Sequence, residues 1–388
     1  MNTIVRVARH FFPLMSVLVF AACRHHSATN NLANNLSIGT TKTTPFAAAK
    51  GCKNVAILLP ESDSSARYET YDRPLLEQEI KQAIPGVTIQ YANANNNPDT
   101  QQNQAEAALT QGACILVVDP QDSDKASVIV QRARVSQVPV IAYDRLIEDP
   151  DTAFYVSFNS IRVGELQGQY IINQFRKGAF GLKPGANLAM LNGSQTDNNA
   201  LQFRAGVLKV LQPLIDSKEI NLVFDQYTPK WDSARAQLSM EEVLRQQQNN
   251  VQIAYVANDG LANTVIAALR ARNLEGRVLV TGQDATIAGI QNILTGVQAM
   301  TVYKPIAKEA QVTAQLVAAL SNGTDPGALV NGQTALKSGG KLASVLLDPI
   351  AVDESNVQQT VIADRYLTRE QICNGLNDNA TGICCKSC

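Results

Sequence analysis

Val138-Pro139-Val140-Ile141-Ala142-Tyr143-Asp144-Arg145 decides how the chain is read. The apolar, largely β-branched run from Val138 to Tyr143 is too short for a buried helix. Its unbroken hydrophobicity fits a strand covered on both faces, as in parallel sheets. The amphipathic stretch Ser127–Ser136 comes just before it, and the acid–base pair Asp144-Arg145 closes it. A helix-period segment, an apolar strand and a polar strand end form one unit of an α/β fold.

The same unit recurs in both directions. Apolar runs at Asn54–Leu59, Val87–Tyr91 and Cys114–Asp119 precede it, with a helical pattern over Leu75–Ile84. The pattern restarts at Asn187–Leu191, Ile220–Phe224, Ile253–Ala257 and Arg277–Thr281, with helices predicted over Ala200–Ile215 and Leu261–Ala271. The alternation predicts two parallel sheets flanked by helices. From Cys52 onward the chain is longer than one core usually supports, so two lobes are expected. Phe154–Asn159 reads as the strand leaving the first lobe, and Gln298–Tyr303 as the strand returning to it.

Polar residues collect where the apolar runs end: Arg67-Tyr68, Tyr143-Asp144-Arg145, Asp197-Asn198-Asn199 with Arg204, Asn258-Asp259, and Gln283-Asp284 followed by Lys304. In open α/β sheets the carboxyl ends of the strands converge on one crevice, where ligands bind.

Charge and composition exclude several functions for this crevice. The chain carries 33 Lys and Arg against 34 Asp and Glu, which gives no basic face for a nucleic acid. The three histidines, His10, His25 and His26, all precede the folded body, so Ser-His and Cys-His nucleophiles and His-based zinc sites have no residues to use. Gly339-Gly340-Lys341-Leu342 lacks the pattern of a phosphate-binding loop. An enzyme built on carboxylates or lysine alone is the remaining catalytic alternative.

The N-terminus reads as an export signal. Arg6 and Arg9 precede the apolar run Phe11 to Ala22, and Phe20-Ala21-Ala22-Cys23 ends it with small residues before a cysteine. Residues 1–22 fit a lipoprotein signal peptide, with Cys23 acylated as the mature N-terminus. A membrane-spanning anchor is the rival, but about 20 apolar residues are needed to cross a bilayer and this run is shorter. Residues 23–51, rich in Asn, Thr, Ser and Ala, read as a solvated tether.

Five stretches carry a family resemblance: Ala142-Tyr-Asp-Arg145, Thr196-Asp-Asn-Asn-Ala200 through Phe203-Arg-Ala-Gly206, Ala257-Asn-Asp259, Gly282-Gln-Asp-Ala285 and Thr301-Val-Tyr-Lys-Pro305. In order and spacing, over nearly all of residues 53 to 365, they closely resemble the D-xylose-binding proteins of bacterial sugar ABC transporters. The resemblance implies a type I periplasmic-binding-protein fold with two Rossmann-like lobes joined by three hinge strands. It implies an N-terminal lobe of 52–158 plus 304–345 and a C-terminal lobe of 159–303 plus 346–370, followed by a Cys-rich tail at 371–388. It also implies a non-enzymatic monomer that holds a monosaccharide without a cofactor or metal and delivers it to a membrane permease.

Carried over residue by residue, the sugar contacts fall on Arg67, Asp144, Arg145, Asp197, Asn199, Arg204, Trp231, Asn258, Asp284 and Lys304, with Tyr68 where the family often has Trp. These residue types suit a neutral polyol: Asp accepts, Arg donates through a rigid fork, and Asn does both. Charge balance is expected within the pairs Asp144–Arg145 and Asp197–Arg204. Trp231, the single Trp, follows the polar turn Thr228-Pro-Lys230 and reads as a stacking platform for a sugar face, with a packing role as the alternative. Asp197 and Asn258 could instead serve only as helix caps, and Arg145 and Lys304 as solvated charges.

Cysteine usage fits an oxidising compartment. Cys52 sits just before the first strand and Cys114 opens the third, neighbours in a 2-1-3 sheet order, so a disulfide between them is expected. Cys373, Cys384, Cys385 and Cys388 allow three pairings, and a metal site is their alternative. Two other functions share the two-lobe reading. A sugar-responsive repressor would begin with a helix-turn-helix, which this N-terminus is not. A sugar sensor for a chemoreceptor or kinase is not separated from transport by sequence.

Overall fold

The first five apolar runs become β1 (Asn54–Leu59), β2 (Thr88–Asn93), β3 (Ile115–Val118), β4 (Val140–Tyr143) and β5 (Phe154–Phe158), all parallel and ordered β2-β1-β3-β4-β5. The structure, a computed structural model, describes residues 45–62, 65–376 and 382–384. Alternate residues of β1 enter two separate cores. Val55, Ile57 and Leu59 pack with residues of helices Arg73–Ala83 and Ile306–Asn322, while Ala56 and Leu58 pack with residues of helices Pro98–Thr110 and Ser127–Val135. A strand buried on both faces needs no polar alternation, and that is why these runs read as continuous apolar segments.

The second sheet contains β6 (Ala186–Asn192), β7 (Ile220–Tyr227), β8 (Ile253–Val256) and β9 (Leu279–Val280), parallel and ordered β7-β6-β8-β9. β10 (Thr301–Tyr303) follows it. β11 (Gly332–Ala335) and β12 (Lys341–Leu347) form an antiparallel hairpin, and β12 joins the first sheet beside β5. β13 (Ile350–Val352) then pairs antiparallel with β10. The chain therefore passes between the lobes three times: after β5, after β10 and between β12 and β13.

Two expected boundaries shift. The tether was expected to run through residue 51, yet Ala49 is buried in the first core and Gly51 N–H donates to the Ser321 carbonyl at 2.7 Å. The apolar Pro45–Ala48 turn and its packing against helix Ile306–Asn322 move the start of the folded body back to that turn. The return to the second lobe, expected at residue 346, falls after Leu347 because β12 pairs with β5 through that residue.

Helices Ser160–Lys177 and Asn198–Asp216 meet backbone to backbone in the second lobe. A Cβ on Gly164 would lie 2.0 Å from the Phe203 carbonyl oxygen, and one on Gly206 would lie 2.1 Å from that of Ile161. Only glycine permits this approach, and it aligns the helix that carries Asn199 with the one that follows β5.

Cys52 and Cys114 are joined, with Cα atoms 5.6 Å apart, and the bond ties the entries of adjacent strands β1 and β3. In the tail, Cys373 pairs with Cys384. Cys23, Cys385 and Cys388 lie outside the described residues.

Candidate functional site

β4 is followed directly by Asp144, which takes a left-handed backbone conformation (φ 51°) at the ends of the strands. The turn is held from several sides. Its N–H donates to the Val156 carbonyl, and its carbonyl accepts from Ser157 Oγ (2.6 Å), Tyr155 Oη (3.1 Å) and Asn199 Nδ2 (3.0 Å). Strain of this kind persists only where neighbours over-determine it.

The Asp144 carboxylate meets Lys304 Nζ at 3.2 Å, Arg67 Nη1 at 3.4 Å and the Tyr68 hydroxyl at 3.3 Å. Arg67 lies behind it and is also bound by Asp72 (2.6 Å) and Glu309 (3.1 Å). Arg145 donates to the Tyr68 hydroxyl (3.0 Å) and Glu61 (3.3 Å), and across the cleft its Nε lies 3.1 Å from Asp197 Oδ2. All these side chains are buried.

The second lobe presents its groups at helix starts. Asp197 caps helix Asn198–Asp216 through Oδ1, leaving Oδ2 for Arg145 and for Trp231 Nε1 at 3.2 Å. Asn258 caps helix Asp259–Arg270. Both residues are caps and cleft residues at once, so the two readings of the sequence do not compete. Asp284 accepts from Ser65 of the first lobe at 3.2 Å and lies 3.9 Å from Lys304.

Together Ser65, Tyr68, Asp144, Arg145, Asp197, Asn199, Phe203, Trp231, Asn258, Gln283, Asp284 and Lys304 line a small cavity. Contacts outside the cavity also join the lobes: Ser123 N–H donates to the Thr196 carbonyl at 2.8 Å, and Ser123 Oγ accepts from Asn198 N–H at 3.2 Å. The lobes are closed on each other.

Electrostatics divide the carboxyls. Burial alone would raise the Asp144 pKa, but the fields of Arg67, Lys304 and Arg145 override it and hold the group well below the usual carboxylate range. Burial, reinforced by Asp144, pushes Asp119 and Glu309 well up. Asp197 is raised by burial against the opposing field of Arg145. The surrounding cations thus favour the ionised form of Asp144, while burial raises Asp119, Glu309 and Asp197.

Two expectations are corrected. Asp144 is balanced by Arg67 and Lys304 rather than through a contact with Arg145, which turns to Asp197, Glu61 and Tyr68. Arg204, expected to balance Asp197 and to reach the ligand, is about one-third exposed, does not line the cavity, and pairs with Asp225 on β7. Seven residues into its helix it lies nearer that strand than the cleft. Arg67 is present but stands behind Tyr68 and Asp144. Sequence reasoning missed Ser65 and Phe203 in the lining, and the acids Asp72 and Glu309, which lie in helical segments rather than at the carboxyl end of a strand.

A polar cavity for a small molecule, closed between two Rossmann-like lobes that the chain crosses three times, defines a two-lobe binding protein. Residues 55–325 match the model of the periplasmic binding protein domain. The chain belongs to the periplasmic binding protein family. It is 39% identical over 282 residues to the D-xylose-binding periplasmic protein of Escherichia coli K12, covering 72% of this chain and 82% of that protein. It is 36% identical over 329 residues to the D-xylose-binding periplasmic protein of Haemophilus influenzae, covering 85% and 95%. Among solved structures, an ABC transporter solute-binding protein from Clostridium phytofermentans with bound β-D-glucose superposes with a TM-score of 0.75 at 28% identity, covering 82% of this chain and all of that one.

The Arg67 cluster sets a stability test. Arg67→Met leaves Asp72, Asp144 and Glu309 buried without their shared cation, and unfolding in denaturant without sugar should show a loss of about 3–5 kcal/mol. Arg162→Met, at an exposed pair with Glu165, should cost less than about 1 kcal/mol. Similar small losses in both variants would remove Arg67 from the core of the account.

Proposed function

We propose that the chain is the extracytoplasmic substrate-binding component of a monosaccharide ABC transporter. It holds D-xylose in the cavity between the lobes and presents it to the permease by lobe closure. The observation that carries this reading is the composition of the small cavity: Asp144, Asp197 and Asp284 accept, Arg145 and Lys304 donate, Asn199 and Asn258 do both, and Trp231 supplies an aromatic wall. A ring bearing hydroxyls on its rim and C–H groups on its faces matches that set. A sugar lacking one of the hydroxyls leaves a buried partner unpaired, which is the source of selectivity.

D-xylose is favoured by the two D-xylose-binding relatives. A hexose reading rests on a specific observation as well, since the Clostridium phytofermentans protein holds β-D-glucose. Arg67 acts from behind, by keeping Asp144 ionised.

Titration calorimetry with D-xylose, L-arabinose, D-ribose and D-glucose tests the ligand, with D-xylose expected to bind most tightly. Trp231 is the only Trp, so its fluorescence should change on addition of the sugar, and Trp231→Ala should weaken binding by about 1–3 kcal/mol. No heat with any of the four sugars would sink the reading. Unchanged affinity in Trp231→Ala would make that residue a packing group.

Anchoring follows from the sequence around Cys23. Among the described residues no helix is long and apolar enough to cross a membrane. An acylated Cys23 is proposed as the membrane attachment on the strength of the sequence Phe20-Ala21-Ala22-Cys23, with the folded body a monomer outside the cytoplasm. Cell fractionation should place the protein with membranes, released only by detergent, and Cys23→Ser should abolish this. A freely released wild-type protein whose N-terminus lies beyond Cys23 would exclude the anchor.

A further inference from the structure

One buried carboxylate lies beside the cavity without lining it. Asp259 is the first residue of helix Asp259–Arg270 and is fully buried. Its Oδ1 accepts from Gln298 Nε2 (2.8 Å) and Thr301 Oγ1 (2.9 Å), and its Oδ2 accepts from the Thr286 backbone N–H (2.8 Å) and Thr286 Oγ1 (3.3 Å). Each hydroxyl in turn accepts a backbone N–H, Thr301 from Ala285 (3.2 Å) and Thr286 from Gly289 (3.0 Å). Both hydroxyl protons are thereby directed at the carboxylate.

These donors belong to the segments that carry cleft residues. Asn258 directly precedes Asp259. Asp284 and Ala285 are in succession at φ 100° and 51°, a conformation side-chain-bearing residues adopt only under constraint. The constraint is visible: Asp284 N–H donates to the Val302 carbonyl, Ala285 N–H to Thr301 and Thr286 N–H to Asp259. Thr301 opens β10, which ends just before Lys304. The space is also shaped for this group, because a Cβ on Gly282 would stand 2.1 Å from Oδ1 and one on Gly289 2.2 Å from Oδ2.

We propose that Asp259 is a positioning residue for the cleft, whose ionised carboxylate holds Asn258, the strained Asp284 loop and the Lys304 strand in register, so that ligand affinity depends on its charge. The inference rests on the monosaccharide reading for its ligand. Burial pushes the Asp259 pKa up to about 7, and the field of Asp284, the charged group on the loop packed against it, acts in the same direction. The other elements packed on it present Thr286, Gly289, Gln298 and Thr301, none of which titrates. The ionised form can accept from all four donors, whereas the protonated form places a hydrogen among them. Affinity should therefore rise as pH increases through neutrality.

The test compares wild type with Asp259→Asn, titrating D-xylose at pH 6 and pH 8. At pH 8 the variant should bind about tenfold or more weakly, the scale of losing hydrogen bonds to a charged acceptor. At pH 6, where wild-type Asp259 is itself largely protonated, the ratio should fall toward one. Equal affinities at pH 8, or a ratio that does not change with pH, would overturn the proposal. Amide hydrogen exchange without sugar supplies a readout independent of the ligand: at pH 8, Ala285 and Thr286 should exchange faster in the variant, and unchanged protection would also overturn it. If Asp259→Asn does not fold, Thr301→Val removes one donor and should weaken binding at pH 8 more than at pH 6. Absence of D-xylose binding by wild type, with the exchange difference present, would fail the ligand reading and leave the positioning role standing.

Discussion

Everything in the cleft depends on keeping one carboxylate ionised where water is excluded. Asp144 sits in a left-handed turn at the end of β4, buried, and burial by itself favours its protonated form. Arg67, from the first lobe, and Lys304, at the crossing after β10, reverse that preference. The arrangement has a structural consequence. Lys304 lies on a segment that passes between the lobes, and the Asp144 carbonyl accepts from Asn199 of the second lobe, so this residue is held from both sides of the cleft.

Closure joins further polar groups across the cleft. Arg145 reaches Asp197, Ser65 reaches Asp284, and Ser123 bonds the start of the helix that carries Asn199. Each of these groups would be hydrated in an opened form, so the net gain from joining them is modest. A ligand that occupies partners on both lobes supplies the differential free energy that makes closure depend on occupancy. The three crossings between the lobes are the places where the backbone change would be absorbed.

Much of this was legible in the sequence, for identifiable reasons. β1, β4 and β8 are apolar on both faces and bounded by polar residues, so their limits can be read to within a residue or two. Asp144 follows β4 directly, Asn258, Asp284 and Asp197 come shortly after the ends of β8, β9 and β6, and strand ends converge by topology alone. The β11–β12 hairpin was not legible, because Gly332–Ala335 is short and polar and gains its place only by pairing. Partner choice was not legible either. Sequence proximity suggested Asp144 with Arg145 and Asp197 with Arg204, but adjacent side chains on a turn diverge, and a long arginine pairs with the nearest carboxylate in space. Asp225 holds Arg204 on β7, which frees Asp197 for Arg145 and Trp231. Asp72 and Glu309 lie in helical segments far from each other in the chain, and only folding brings them to Arg67.

The central claim is that a sugar holds the two lobes together. Small-angle X-ray scattering of the folded body, recorded with and without saturating D-xylose, tests it directly. The account predicts a smaller radius of gyration with sugar, and loss of both binding and compaction when Asp144 and Arg145 are replaced together by alanine. Identical scattering with and without a sugar that calorimetry shows to be bound would contradict it.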